Sequence, residues 1–265
     1  MKRLGTAALL LFAVAWTGLA AADDDGLRRL VGAYPDQFEA TEKANVLRWK
    51  DGTETVYDDG VARSSLDEMM KQGSPKDQMS LPYPCGWPMR EPGADEDPGR
   101  VRCEALFRKM YGNSAAEVER SLVDVAWPAA GASKKVRFTR VNGAASALQR
   151  VGEEVNALPD DLRRYVAKPI GTFTWRTIAG EDRPSPHSFG MAIDFQLPTP
   201  VHRYWRWDAK GGKDVPAFPP EILDDARLGR IMAVFERHGF ICGGKWRHYD
   251  TMHFEYRPEL AGPQK

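Results

Sequence analysis

The sequence predicts an α+β protein in which a small antiparallel sheet is flanked by helices and follows an irregular N-terminal extension. The second half of the chain contains amphipathic helical patterns and short alternating runs that are typical of strands. These patterns do not alternate in strict strand–helix–strand order, which favours α+β over a parallel α/β fold. Residues 23–134 carry fewer such patterns and are rich in turn-forming residues.

In the second half, apolar residues at helical spacing predict two helices. The first contains Ala144 to Leu158 and ends before Pro159, and the second contains Leu228 to Phe235 and closes at His238-Gly239. Strands are predicted at residues 171–176, 190–197 and 253–256.

In the first half, short helices are predicted within residues 65–70 and 104–111. Residues 73–100 are rich in Pro, Gly and Asp and are expected to be mostly loop, and residues 128–134 are typical of a linker or surface turn. We therefore divide the chain into an accessory region at 23–134 and a domain at 135–260.

The first 22 residues are typical of a secretory signal peptide. Lys2 and Arg3 precede an apolar run, and the alanines at 20–22 offer a cleavage site before Asp23. A transmembrane anchor is the alternative, although Gly and Thr interrupt the apolar run. We expect a secreted or periplasmic protein with no stable membrane anchor after cleavage.

Export would permit a disulfide among the three cysteines. Cys85 and Cys103 are the plausible pair because a loop rich in Pro and Gly separates them. The alternative is three free thiols, and Cys242 is expected to pack as a small apolar residue.

The chain has 265 residues with 37 basic and 37 acidic side chains, so its formal net charge is zero. A nucleic-acid partner usually requires a basic surplus, and none is expected here. We expect the protein to act as a monomer.

A run that begins at Ser185 contains residues that suggest a reaction centre. If residues 190–197 form a strand, Asp194 and small side chains share one face while bulkier apolar residues face the core. His187, just before the strand, can reach over the same face. The small neighbours would leave room there for a metal and a substrate.

A second run, close to the C-terminus, offers further polar groups. On a strand, His253 and Glu255 share one face, and Asp250 lies in the turn just ahead. Two imidazoles and a carboxylate are the usual protein ligands of a catalytic zinc ion, with one position left for water. His187, Asp194 and His253 are therefore candidate metal ligands, although each alone would also suit a structural role.

The first of these runs matches the pattern S-x-H-x-x-G-x-A-x-D at all five specified positions, which are Ser185, His187, Gly190, Ala192 and Asp194. It resembles the D-alanyl-D-alanine carboxypeptidase family of zinc peptidases, a hedgehog-like LAS family that also includes L-alanyl-D-glutamate endopeptidases. Two further family features are present, an acidic residue three positions before a His and a Gly-Gly-x-Trp sequence at 243–246. The resemblance covers roughly residues 141–256.

The resemblance implies an LAS-type zinc peptidase catalytic domain at 135–260 with Zn²⁺ as its cofactor. His187, Asp194 and His253 would bind the zinc ion. Asp250 would be the general base, and Arg176 aligns with a family arginine that polarises the scissile carbonyl group. The alternative for Arg176 is a surface salt bridge.

Three residues beside the implied ligands would have supporting roles. Glu255 is expected to orient His253 or to pair with Arg176. Ser185 is expected to shape its turn or to bind a ligand. Trp246, in the Gly-Gly-x-Trp sequence, would support the site or contact substrate.

The implied substrate is the peptide part of bacterial peptidoglycan. In the family, Glu at the base position is common in D-Ala-D-Ala enzymes and Asp in endopeptidases, so Asp250 favours cleavage between L-Ala and a D-amino acid. A D,D-carboxypeptidase is the alternative within the enzyme class. A non-catalytic zinc-containing module that binds the cell wall is the alternative outside it, and the presence of Asp250 and Arg176 argues against this module.

An aromatic and basic segment at residues 202–207 follows the second predicted strand. It would either form a lid over the site or pack its tryptophans onto the domain.

Overall fold

The computed structural model describes residues 18–129, 132–212 and 214–261. Its α-helices in those ranges are α1 (Gly18–Ala33), α2 (Leu66–Gln72), α3 (Pro75–Ser80), α4 (Glu104–Tyr111), α5 (Ala115–Glu119), α6 (Ala144–Asn156), α7 (Asp160–Arg163), α8 (Trp205–Asp208), α9 (Pro220–Asp224), α10 (Ala226–Arg237) and α11 (Pro258–Ala261). The strands are β1 (Phe38–Glu39), β2 (Val46–Trp49), β3 (Glu54–Val56), β4 (Leu122–Ala129), β5 (Ala132–Thr139), β6 (Pro169–Gly171), β7 (Ala192–Phe195), β8 (Phe240–Cys242) and β9 (His253–Tyr256).

The strands pair antiparallel throughout the described residues. They form a three-stranded sheet in the order β1-β2-β3, a hairpin of β4 and β5, and a four-stranded sheet in the order β6-β7-β9-β8. Mixed helices and small antiparallel sheets confirm the α+β class.

One hydrophobic core joins the two halves of the chain. Trp127 on β4 is fully buried, and its ring lies 5.0 Å from that of Phe195 on β7 and 6.1 Å from that of Phe235 on α10. Burying an aromatic side chain of this size stabilises the fold by about 1.5–3 kcal/mol. The hairpin therefore anchors the four-stranded sheet to the helix layer.

The helices predicted from apolar spacing are confirmed. Helix α6 buries Leu148, Val151 and Val155, and α10 buries its apolar stripe against β8. Helices α2 and α4 occupy the two short predicted segments of the first half.

The expectation of an irregular N-terminal extension is wrong. The region contains most of α1, helices α2 to α5, the β1-β2-β3 sheet and β4. Apart from α1 and β4, these elements are short and leave little periodicity in the sequence. The expected loop at 73–100 contains α3, and Ser74 and Asp77 cap the N-terminus of this helix with reciprocal hydrogen bonds, a capping box. Proline favours loops, but it also suits the first position of a helix, where Pro75 lies.

Three further expectations are corrected. Of the two alternatives for residues 128–134, a linker or a surface turn, the linker is wrong, because Pro128 and Ser133 pair across the β4–β5 hairpin. The strand expected at 171–176 is instead β6 at 169–171, and the residues after it run irregularly. Cys85 and Cys103 are not bonded, and the alternative of three free thiols is observed: Cys85 is exposed, Cys103 is buried at the start of α4, and Cys242 is buried.

The division into two regions stays a prediction, although the proposed boundary at residue 134 falls inside β5. Most of the predicted signal peptide lies outside the described residues. No helix within the described residues has the length and apolarity needed to cross a bilayer.

Candidate active site

The register of the central strand pair brings two of the candidate ligands together. Asp194 on β7 lies directly opposite His253 on β9. Opposite side chains in an antiparallel pair start about 4.5–5.5 Å apart, within reach of one another. Here His253 Nδ1 lies 3.0 Å from Asp194 Oδ1.

His187 reaches the same point from a 3-10 helix, Pro186–Phe189, just before β7. The Ser185 hydroxyl caps this helix by accepting a hydrogen bond from the His187 backbone N–H at 3.3 Å. Gly190 ends it in the left-handed region at φ 65°, and an added Cβ there would lie 2.4 Å from Leu122 Cδ2. The resulting bend turns the chain into β7 and leaves His187 Nε2 3.2 Å from Asp194 Oδ1.

The three side chains offer one ligand atom each, and these atoms all lie within 4.8 Å of one another. The outward nitrogen of each imidazole is already used: His187 Nδ1 donates to the Thr172 carbonyl oxygen at 2.6 Å, and His253 Nε2 donates to Glu255 Oε2 at 3.0 Å. Such contacts orient the opposite ring nitrogen towards a metal. Two imidazoles and one carboxylate fit a zinc ion better than magnesium or calcium.

The side chains of this cluster shift the pKa values of Asp194 and His253 in opposite directions. Burial alone would raise the pKa of Asp194, but hydrogen bonds from His187 and His253 outweigh burial and hold this pKa well below its usual range. Burial opposes the charged form of His253, yet Asp194 and Glu255 raise its pKa above the usual range. A metal would have to displace this proton, because a histidine ligand must be neutral.

Asp250 lies in the same cavity, in the turn before β9. Its Oδ1 atom is buried and has no hydrogen-bond partner among the described residues. Burial raises the pKa of Asp250 to about 7. Gly243 makes this position possible, because an added Cβ would lie 2.6 Å from the Asp250 carbonyl oxygen.

Arg176 stands at the rim of the cavity with an exposed side chain. Its guanidinium contacts the Thr177 carbonyl oxygen at 3.3 Å, and it forms no ion pair within the part of the chain that the structure describes. Ser188 holds the Arg176 backbone, accepting from its N–H at 2.9 Å and donating to its carbonyl oxygen at 2.6 Å. The alternative of a surface salt bridge is therefore not observed.

The supporting residues are placed as follows. Glu255 is fully buried and pairs with Arg257 at 3.0 Å as well as with His253, so its expected pairing with Arg176 is not found. Trp246 packs its ring 5.6 Å from that of His253 and donates to the Pro98 carbonyl oxygen at 2.7 Å.

The cavity has a volume of about 270 Å³ and includes residues that the sequence did not single out. Arg100, Arg102 and His248 line it. His248 Nδ1 lies 2.5 Å from Oδ2 of the buried Asp97, which also accepts from the His248 backbone N–H. Arg100 and Arg102 carry no local pattern and reach the cavity through the packing of the N-terminal region onto the site, whereas His248 comes from the segment just before Asp250.

The aromatic and basic segment at 202–207 forms a wall of the cavity. Tyr204 and Asp250 form an isolated antiparallel β-bridge through their backbones, and the Trp205 backbone N–H donates to the Tyr249 carbonyl oxygen at 2.9 Å. Trp205 is buried while Trp207 is 55% exposed at the mouth. The segment thus both packs onto the domain and borders the site.

A protein-family model described as D-alanyl-D-alanine carboxypeptidase matches residues 179–256. The predicted resemblance to this peptidase family is confirmed. The matched segment contains His187, Asp194, Asp250 and His253, whereas Arg176 lies just before it. No curated protein and no solved structure matches the chain significantly.

Proposed function

We propose that the protein is an exported zinc peptidase that hydrolyses the peptide part of bacterial peptidoglycan. The observation that carries this proposal is the convergence of His187, Asp194 and His253 within 4.8 Å, in one cavity with Asp250. The family match supports a peptidase of the D-alanyl-D-alanine carboxypeptidase type. We further propose that the four-stranded sheet is the core of an LAS-type domain.

His187, Asp194 and His253 would hold the zinc ion, leaving a coordination position open because these are three protein ligands. A bound zinc ion supplies Lewis acidity, which makes water a nucleophile near neutral pH and polarises a carbonyl group. Asp250 would accept a proton from the attacking water at its unpartnered Oδ1 and pass it to the nitrogen of the leaving amine. Burial raises the pKa of Asp250 towards neutrality, and a pKa nearer to neutral pH suits a group that accepts a proton and then passes it on.

Arg176 would donate hydrogen bonds to the carbonyl oxygen as negative charge develops on it. Its exposed guanidinium is free of carboxylate partners among the described residues, so substrate would not have to displace an ion pair. Asp250, rather than Glu, favours an endopeptidase that cuts after L-Ala. Removal of the terminal D-Ala is the second activity of the same site.

The test is mass spectrometry of purified muropeptides after incubation with the mature protein, zinc-loaded or chelated. Release of the peptide after L-Ala identifies an endopeptidase, and loss of one alanine identifies a carboxypeptidase. Asp250→Asn is the matched control, because it keeps the side-chain size and the three ligands while it removes the base. Tight zinc binding without any product would instead identify a binding module and contradict the proposal.

A further inference from the structure

Arg102 is buried in the wall of the candidate active site. Its side chain is 6% exposed, and it lines the cavity that also contains His187, Asp194 and His253. It comes from the segment just before α4 and so lies outside the family-matched residues 179–256. A buried guanidinium is costly unless a carboxylate and further acceptors satisfy it.

The contacts of Arg102 do not use all the N–H donors of its guanidinium group. Nη2 donates to the Pro184 carbonyl oxygen at 3.3 Å, and Nη1 lies 3.8 Å from Glu255 Oε2, which is too far for a hydrogen bond. Glu255 already accepts from His253 and Arg257, each at 3.0 Å. Burial lowers the pKa of Arg102 to about 9, which still leaves it charged at neutral pH.

The neighbouring arginines differ in this respect. Arg183 makes two hydrogen bonds to Glu181 at 2.9 and 2.6 Å and a third to the Arg100 carbonyl oxygen at 2.9 Å. Arg100 pairs with Asp97 at 3.0 Å and with Glu181 at 2.9 Å. Both guanidiniums are therefore held by carboxylates of the protein, and of these three described arginines Arg102 is the one whose donors remain for a ligand.

We propose that Arg102 binds a free carboxylate of the substrate, on the residue that supplies the leaving amine. This inference rests on the proposed peptidase function and deepens it. A C-terminal D-Ala carries such a carboxylate, and so does a D-Glu linked through its γ-carboxyl group. In both, a single carbon separates the carboxylate from the leaving nitrogen, and arginine suits this planar anion because it can donate two parallel hydrogen bonds.

The experiment compares substrates that differ in this carboxylate alone. One pair is an acylated L-Lys-D-Ala-D-Ala peptide and its C-terminal amide. The other is an L-Ala-γ-D-Glu peptide and its D-isoglutamine counterpart. Hydrogen bonds to a charged group contribute about 1.5–3 kcal/mol, so kcat/KM of the zinc-loaded wild type should favour the acid about 10- to 100-fold in at least one pair. Arg102→Gln should bring this ratio close to one, and the responding pair identifies the source of the carboxylate.

Arg183→Gln is the matched control, because it removes a buried arginine of the same cluster whose donors are already used. It should lower stability and leave the acid-to-amide ratio unchanged. A second readout, tryptophan fluorescence of the metal-free protein titrated with each peptide, measures binding without catalysis. Tighter binding of the acids that is lost in Arg102→Gln supports the inference even if the wild type cleaves nothing, in which case the proposed function fails alone. An absent acid preference, or equal losses for acid and amide in Arg102→Gln, would overturn it.

Discussion

Glu255 connects the metal-ligand cluster to a buried charge network, and Glu255→Gln tests this connection. Glu255 Oε2 accepts from His253 Nε2 at 3.0 Å, and Oε1 accepts from Arg257 Nη1 at 3.0 Å. Both partners are donors, whereas a glutamine amide offers a single oxygen and an NH₂ group that cannot accept. We expect the amide oxygen to stay with the charged Arg257 and His253 to lose its acceptor.

The expected effect is weaker zinc binding. Without Glu255, the proton of His253 is no longer held on Nε2 and can occupy Nδ1, the nitrogen that faces Asp194. Losing the partner of a metal-binding histidine typically weakens metal affinity about 10- to 100-fold. This range corresponds to about 1.4–2.7 kcal/mol of binding free energy.

Zinc affinity would be measured by competition with a chelator of known affinity, and folding by urea denaturation. The control is Glu259→Gln, because Glu259 accepts from Arg257 Nε and from the Tyr34 hydroxyl, each at 2.6 Å, and does not contact His253. It should lower the free energy of unfolding and leave zinc affinity unchanged. Equal weakening of zinc binding by both variants, or none by Glu255→Gln, would refute the orienting role of Glu255.

Three further outcomes are expected. Zinc at about 100 times its Kd should raise the free energy of unfolding, measured by urea titration, by about 2.7 kcal/mol, and His187→Ala should abolish this gain. An unchanged urea midpoint of the wild type on addition of zinc would contradict the proposed zinc site. Gly190→Ala should lower the free energy of unfolding by about 1–3 kcal/mol, because Gly190 has a positive φ and an added Cβ would clash with a leucine side chain. The loss should exceed that of Gly211→Ala, since Gly211 also has a positive φ but has open space around it, and equal losses would count against the clash. Burial opposes ionisation of Asp97, but His248 and Arg100 together outweigh burial and lower the Asp97 pKa, so the stabilisation is present above the ordinary value of 3.8 and is lost as pH falls through the folded pKa. The difference in unfolding free energy between wild type and Asp97→Asn should therefore shrink below about pH 4, and a constant difference would exclude this linkage.

The candidate ligands were predictable because their geometry is largely local. His187 and Asp194 lie on one short run, and a strand period of two is enough to place Asp194 on the face with small neighbours. His253 and Glu255 share a face for the same reason. The β7–β9 register that sets Asp194 opposite His253 depends on pairing between distant segments, and the sequence pattern alone does not determine it.

The remaining features depend on long-range packing. The acceptor for His187 Nδ1 is the backbone carbonyl of Thr172, a group that any residue provides, so no residue type marks it. Arg102 and Asp97 come from a segment without periodicity, and their roles follow from where that segment crosses the cavity. The pairing of β4 with β5 was not predicted, because the proline and small residues at 128–134 are typical of linkers and turns and occur in paired strands as well.

The N-terminal region completes the charge network behind the reaction centre. Glu259 accepts hydrogen bonds from Tyr34 and Gln78, and it shares Arg257 with Glu255, which in turn holds His253. Removing the N-terminal partners would leave buried charges short of hydrogen bonds, and such groups cost about 1–3 kcal/mol each. A candidate metal ligand therefore belongs to a buried charge network that also includes residues far outside the segment that matches the peptidase family. The same region also supplies Arg100 and Arg102 to the cavity wall, and its buried apolar residues belong to the same hydrophobic core as those of β7 and β9.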